Sequence, residues 1–192
     1  MTAAQVRKIE IHGYAIVSAD DKIAAADGLT PASLRNEMDW EYYQRALANS
    51  DVAVLGRRTH ELEPNVRGDV RLVLSREGAG LERRDDAWWW DSSRVSWTEV
   101  VRRVLPNGGE VAVSGGQVAF DLFLTVGFEA FHLSRAIGVK LPGGRGVFAA
   151  CDRGVPAETL LTEAGLAVSE TIPLDPEHGV TMNVWRRLKP GP

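Results

Sequence analysis

Two short stretches of this chain share one design: a run of small and β-branched residues that ends in glycine, with a helix-forming run directly behind it. The first is Val52-Ala53-Val54-Leu55-Gly56-Arg57-Arg58-Thr59-His60-Glu61, and the second is Val111-Ala112-Val113-Ser114-Gly115-Gly116-Gln117-Val118-Ala119-Phe120. A strand that runs straight into a helix points bare backbone N–H groups, and the positive end of the helix dipole, at whatever lies beyond the strand end. Two such turns in one chain constrain it to an α/β architecture. They also suggest a phosphate-rich ligand held across the ends of parallel strands.

The rest of the chain reads in the same style. Ile9 to Val17 and Arg71 to Leu74 are predicted buried strands, as are Glu110 to Val113 and Phe128 to Ser134. Predicted helices cover Ser33 to Asn49 with Ser33 as N-cap, Arg57 to Leu62 with Pro64 as its stop, and Gln117 to Thr125. Ser96-Trp97-Thr98-Glu99 has capping-box spacing and opens a further helix through Leu105, ended by Pro106 to Gly109. A short helix is expected from Ala157 to Ala164. Leu166 to Leu174 and Val180 to Leu188 form an antiparallel hairpin around Asp175 to Gly179. Gly143 to Gly146 is a glycine turn, and Ser18 to Pro31 is a long loop of the kind that covers a substrate. Alternating strands and helices up to about residue 134 imply a mostly parallel sheet, with the hairpin as an antiparallel edge.

Bulk properties exclude several function classes. The chain has 192 residues and a net charge of −4, so no global field favours nucleic acid. No apolar run approaches membrane-spanning length, and Met1 to Lys8 lacks the apolar core of a leader. One cysteine, Cys151, excludes an internal disulfide and a cysteine-based zinc cluster, and no histidine pair has metal-ligand spacing. With no long linker and no fixed-period repeat, residues 1–192 read as one cytoplasmic domain.

Four groups carry candidate chemistry. Arg57 and Arg58 sit at a helix start, where the dipole disfavours cations unless an anion joins them, and Thr59 adds a hydroxyl. A solvated surface pair is the plain alternative. Ser114, Gly115, Gly116 and Gln117 can present successive N–H groups to a pyrophosphate, or simply make a tight turn. Ser75 and Arg76 follow a strand end and can join the arginine pair on one phosphate, or be an ordinary loop. Asp39 shares a helix face with Tyr42, Tyr43 and Ala46, so a partly desolvated carboxylate there would suit a proton donor or relay. A solvent-facing helix acid is the common alternative, and Glu37, Glu41, Asp20, Asp21 and Asp27 compete for the role. His12 and His132 lie within strands and read as structural. Trp88-Trp89-Trp90 reads first as core on one face with a helix or subunit contact on the other, and second as a ligand stack. Cys151 has no activating partner and reads as inert.

Taken in order, these motifs resemble the dihydrofolate reductase superfamily, and most of all the reductase half of the bacterial bifunctional riboflavin enzyme with its free-standing relatives. The resembling segments are Ile11 to Ser18, Asp39 to Glu61, Leu72 to Arg76, Val111 to Leu124 and Phe131 to Ser134. The resemblance implies a three-layer α/β fold, with a central mostly parallel sheet flanked by helices and an antiparallel C-terminal hairpin. It implies NADPH as cofactor, with Gly56, Arg57, Arg58 and Thr59 along the adenosine phosphates and Ser75 and Arg76 near the 2′-phosphate. Ser114, Gly115, Gly116 and Gln117 would meet the pyrophosphate. Asp39 falls where the family keeps its substrate carboxylate, with Tyr42 and Tyr43 on the substrate side and Ser134 as the supporting hydroxyl.

The activity so implied is reduction of a small heterocycle by NADPH, with the ribosylaminopyrimidine of riboflavin synthesis as substrate. Dihydrofolate is the alternative substrate, and a non-catalytic nucleotide-binding protein or an oligomeric scaffold the alternative class. A homodimer is expected, with no metal, nucleic acid or membrane partner. Two departures stand out. The riboflavin-type reductases carry Ser-x-Asp-Gly-Lys in the first loop, whereas this chain reads Ser18-Ala19-Asp20-Asp21-Lys22. The deaminase signature is absent from the sequence.

Overall fold

The computed structural model describes residues 6–63, 65–77, 79–85 and 87–188. Pro64, the predicted helix stop, and the first five residues of the segment read for a leader lie outside them. Eleven strands and five α-helices follow one another in the described residues. They are β1 (Ile9–Ser18), β2 (Lys22–Ala24), α1 (Glu37–Asn49), β3 (Val52–Gly56), α2 (Arg57–Leu62), β4 (Arg71–Leu74), β5 (Leu81–Arg84) and β6 (Ala87–Trp90). After them come α3 (Trp97–Val104), β7 (Gly109–Val113), α4 (Gln117–Val126), β8 (Ala130–Ala136), β9 (Arg145–Gly146), α5 (Ala157–Glu163), β10 (Leu166–Asp175) and β11 (Val180–Arg187).

Nine strands form one sheet in the order β10-β11-β8-β1-β7-β3-β4-β6-β5. From β8 to β6 all neighbours are parallel, while β11 and β10 at one edge and β5 at the other are antiparallel. The expected three-layer arrangement follows from period-two alternation. Val52 and Val54 of β3, with Val111 and Val113 of β7, point into a large core shared with Val100 of α3, Phe120 and Phe123 of α4 and Leu161 of α5. Ala53, Leu55 and Ala112 on the same strands point the other way, against Tyr42, Tyr43, Ala46 and Leu47 of α1. The alanines on that face let α1 approach closely.

The large core is built on phenylalanine. Phe120, Phe123, Phe128, Phe131 and Phe148 are all fully buried. Phe128 meets Phe131 edge to face at 5.0 Å between ring centres. Each such ring contributes about 1.5–3 kcal/mol by burial alone. Gly13 of β1 makes room for them, because a Cβ there would lie 2.3 Å from Phe131 Cδ2.

The structure corrects several expected boundaries. The helix predicted from Ser33 starts at Glu37, and Asn36, not Ser33, caps it by accepting from Asp39 N at 3.0 Å. Ser33 instead sits in a single 3-10 turn, Ala32–Leu34, and Arg35 is extended, which breaks any continuous helix. The strand predicted from Phe128 begins at Ala130 and runs to Ala136. The Ser18–Pro31 segment is not simply loop, because Lys22–Ala24 pairs with Arg145–Gly146 as a small separate sheet. The glycine turn at Gly143 thereby becomes the support of the first loop.

The tryptophan run lies in strand β6. Trp90 is buried against Trp97 and Phe123 and donates its indole N–H to Val95 O at 2.8 Å. Trp89 faces the other way, edge-on to His60 of α2 and under the Arg84 guanidinium. Its partner is therefore a helix of the same chain. The Trp88 ring lies under Arg103 of α3. None of the three lines the cleft described next.

Candidate active site

The turns after β3 and β7 lie side by side because the two strands are parallel neighbours. Gly56 N donates to Gly115 O at 3.3 Å, so the first glycine turn is fastened to the second. Gly116 has φ +84° and ψ 130°, a conformation that L-residues rarely adopt and glycine enters freely. Neither Gly56 nor Gly116 supplies a side-chain cap to the helix behind it. The result is a floor of bare backbone at two helix starts.

A cleft of about 1720 Å³ opens over that floor and runs to the face of α1. Gly56, Arg57, Arg58, Thr59, Ser75, Arg76, Ser114, Gly115, Gly116 and Gln117 line it, and so do Asp39, Tyr42 and Tyr43. Thirteen of the fourteen sequence-derived site residues therefore border one space. The fourteenth, Ser134 of β8, is fully buried behind the wall and does not reach it.

Asp39 is half-buried in the first turn of α1. Burial pushes its carboxyl above the usual carboxylate range, and the nearby Ser134 hydroxyl pulls it partly back. Ser134 Oγ makes no hydrogen bond of ordinary length among the described residues. Tyr43, on the same face, faces Ser114 and has its hydroxyl pushed up by burial. The helix thus lines one side of the cleft with an acid and two phenols, the shared face that the offsets of three and four had suggested.

The arginines differ from their expected arrangement. Arg57 does not wait at the helix start for an anion, because its guanidinium pairs with Glu77 just beyond β4 and with Glu61 at 3.6 Å. Those carboxylates already relieve the conflict with the dipole. Arg58 reaches across to the first loop and donates to Asp27 O at 3.1 Å. Ser75 Oγ accepts from Glu77 N at 3.1 Å. The Gln117 side chain turns away from the floor and donates to Gly146 O at 3.1 Å and Asp152 Oδ2 at 2.8 Å. Its side chain serves the first-loop support, and only its backbone faces the helix start.

The first loop keeps its shape without the missing glycine. Asp21 itself adopts φ 61°, the left-handed conformation in which aspartate is tolerated better than most residues. Its carboxylate pairs with Arg135 at 2.6 Å and accepts from Ala157 N at 3.3 Å. Ser18 Oγ donates to Asp20 at 2.7 Å and accepts from Lys22 N at 3.0 Å. Lys22 is buried, with Nζ on Cys151 O and Asp152, both at 3.1 Å. The Ser-x-Asp-x-Lys pattern is thus a structural knot on which the loop over the cleft hangs.

One cluster escaped the sequence reading. Tyr14 stacks on His132 at 4.6 Å, and Tyr42 Oη shares a 3.0 Å hydrogen bond with His132 Nδ1. Burial drives His132 down to about 3, and lowers His12 as well. The His132 imidazole is therefore neutral at physiological pH, and it also walls the α1 end of the cleft, which His12 does not line. The signal was available: His12 and Tyr14 are two apart on one strand, facing the same side. Cys151 is buried with its thiol pushed up to about 11, in keeping with inertness. Among the described residues no group of His, Cys, Asp and Glu can hold a metal ion, and no helix is long and apolar enough to cross a membrane.

No family model and no curated protein sequence matches the chain. Solved structures do. One is a diaminohydroxyphosphoribosylaminopyrimidine deaminase/5-amino-6-(5-phosphoribosylamino)uracil reductase from Thermotoga maritima, with a TM-score of 0.64 and 15% identity. The match covers 94% of this chain and 57% of that one, so the chain spans little more than half of that bifunctional protein. Another is dihydrofolate reductase from Enterococcus faecalis complexed with NADP(H) and RAB-propyl, with a TM-score of 0.69 and 13% identity over 94% of this chain and 97% of that one. With its mostly parallel sheet, flanking helices and antiparallel terminal hairpin, this chain has the dihydrofolate reductase-like fold.

Proposed function

We propose that this protein is a nicotinamide-nucleotide-dependent reductase of a small heterocycle, with NADPH as its cofactor. The observation that carries the reading is one cleft that joins two uncapped glycine turns to a desolvated carboxyl. Its volume of about 1720 Å³ exceeds the roughly 300–1,000 Å³ of a pocket for one small molecule. It has room for a dinucleotide and a second ring beside it. The bare backbone at Gly56, Gly115 and Gly116 fits a pyrophosphate, since nothing stands closer than 3.9 Å to a Cβ position at Gly56 or Gly116.

A bound nicotinamide nucleotide would supply hydride to the substrate. The chain's own residues do the rest. The N–H groups at the starts of α2 and α4 bind phosphate, with Thr59 beside them. Asp39, held protonated more readily than an ordinary carboxyl, orients ring nitrogens and delivers or relays a proton. Tyr42, Tyr43 and Tyr14 line the wall next to it and exclude water. Ser134, out of contact with the cleft, supports Asp39 from behind. Positioning and local electrostatics are the protein's contribution.

The two solved neighbours support two substrate classes, a ribosylaminopyrimidine and a dihydropterin. We favour the pyrimidine. The test is oxidation of NADPH by the purified protein against a panel of both classes. Turnover with either class supports the reductase. Binding of NADPH with no oxidation across the panel supports a non-catalytic nucleotide-binding protein, for which the first loop closes the substrate side. The same proposal includes a cytoplasmic homodimer, which sedimentation and fractionation check.

A further inference from the structure

Glu77 has no role in the expected site, yet it occupies the place where the adenosine end of the cofactor is expected. It lines the cleft directly after Ser75 and Arg76 and pairs with the Arg57 guanidinium. Its backbone is held from two sides, by Ser75 Oγ on its N–H at 3.1 Å and by Arg84 Nη2 on its carbonyl at 3.3 Å. The carboxylate is therefore presented to the cleft by a fixed turn. Glu61 approaches the same guanidinium from α2 at 3.6 Å. Arg76, the other cation at this strand end, lies within electrostatic reach of Asp91. The corner predicted to be a concentrated positive site is thus close to neutral.

Two forms of adenosine ribose meet such a corner differently. A free 2′-hydroxyl can donate to a carboxylate. A 2′-phosphate needs the guanidinium released and is repelled by the acid beside it. Resting on the reductase reading above, we infer that Glu77 is the specificity-determining residue of the cofactor site: by holding Arg57 it narrows the preference for NADPH over NADH to less than tenfold. The pair is open to solvent, with side chains 45% and 67% exposed, so a phosphate can compete for Arg57 but gains less than from a free guanidinium.

The experiment titrates NADPH and NADH into the wild-type protein, Glu77→Gln, and Glu77→Gln with Arg57→Gln, following quenching of intrinsic tryptophan fluorescence. Trp40 borders the cleft and serves as reporter. The expected result is that Glu77→Gln tightens NADPH about tenfold, about 1.4 kcal/mol, and changes NADH less than twofold. Adding Arg57→Gln abolishes the gain. A ratio of the two affinities unchanged in Glu77→Gln overturns the inference and leaves the reductase standing, as does a gain that survives loss of Arg57. Failure of every protein to bind either nucleotide overturns the reductase itself, and this inference with it.

Discussion

His132 makes acid stability the most direct test of the site's buried wall. Its imidazole is 7% exposed, stacked on Tyr14 and hydrogen-bonded to Tyr42, and burial lowers it from the ordinary 6.5 to about 3. A depressed histidine stabilises the fold fully only above its unfolded pKa, and that stability is lost as pH falls toward the folded value. The gap between 6.5 and about 3 is worth about 5 kcal/mol when fully expressed, at about 1.4 kcal/mol per pH unit. At pH 5 the unfolded chain has bound its proton and the folded chain has not, so about 2 kcal/mol is already gone. That is a large part of a typical domain stability of about 5–15 kcal/mol. His132→Gln keeps an amide for Tyr42 and removes the titration. The assay is urea unfolding of both proteins at pH 7 and pH 5. The wild type should lose about 2 kcal/mol more than the variant over that interval. His12, its ring 5.9 Å away, is also lowered by burial and disfavours charge on His132, so the comparison is made with His12→Gln in both proteins. Equal losses in the two proteins would refute the argument that His132 is held neutral by burial.

The same linkage gives Asp39 the opposite sign. Its folded pKa is raised by burial, so the folded chain holds its proton longer and stability falls as pH rises through that interval. Asp39→Asn should melt higher than the wild type at pH 8, and the difference should shrink toward pH 4, while turnover at neutral pH is lost; a melting difference independent of pH refutes the desolvation, and full turnover removes Asp39 from the mechanism. At the glycine floor, Gly116→Ala forces an L-residue to φ +84° and should cost about 1–3 kcal/mol in urea unfolding. Gly115→Ala meets only Thr59 Oγ1 at 3.4 Å and should cost less than about 1 kcal/mol, and equal losses would refute the backbone account.

The sheet's centre was legible because its strands are nearly uniform runs buried on both faces. Val52 to Leu55, Arg71 to Leu74 and Val111 to Val113 have few alternative readings once glycine punctuates them. The edges were not. β5 reads Leu-Glu-Arg-Arg and buries Leu81 alone, because an edge strand with one wet face needs no apolar pattern. β2 and β9 are too short for periodicity, and what fastens them is long-range: Lys22 Nζ and Gly146 N both donate to Asp152. The start of α1 was misread because Ser33 and Asn36 are both competent caps, and only Arg35's extended backbone decides between them. In the site, helix offsets were enough to group Asp39 with its tyrosines. The pairing of Arg57 with Glu77 was not legible, since the two are twenty residues apart in sequence and meet only once β3 and β4 pair.

β1 pairs with β7 on one side and β8 on the other, and its first residue, Ile9, finds its partner at Gly109. A ribosome therefore releases an apolar, β-branched strand whose neighbours on both sides are about a hundred residues behind it. Until they emerge, both of its backbone edges can be claimed by any other extended chain. Non-local pairing of this kind is slow and prone to aggregation. For this protein the vulnerable stage in the cell falls before residue 136 is made, and nascent chains cut short of β8 are the species that a chaperone would have to shield.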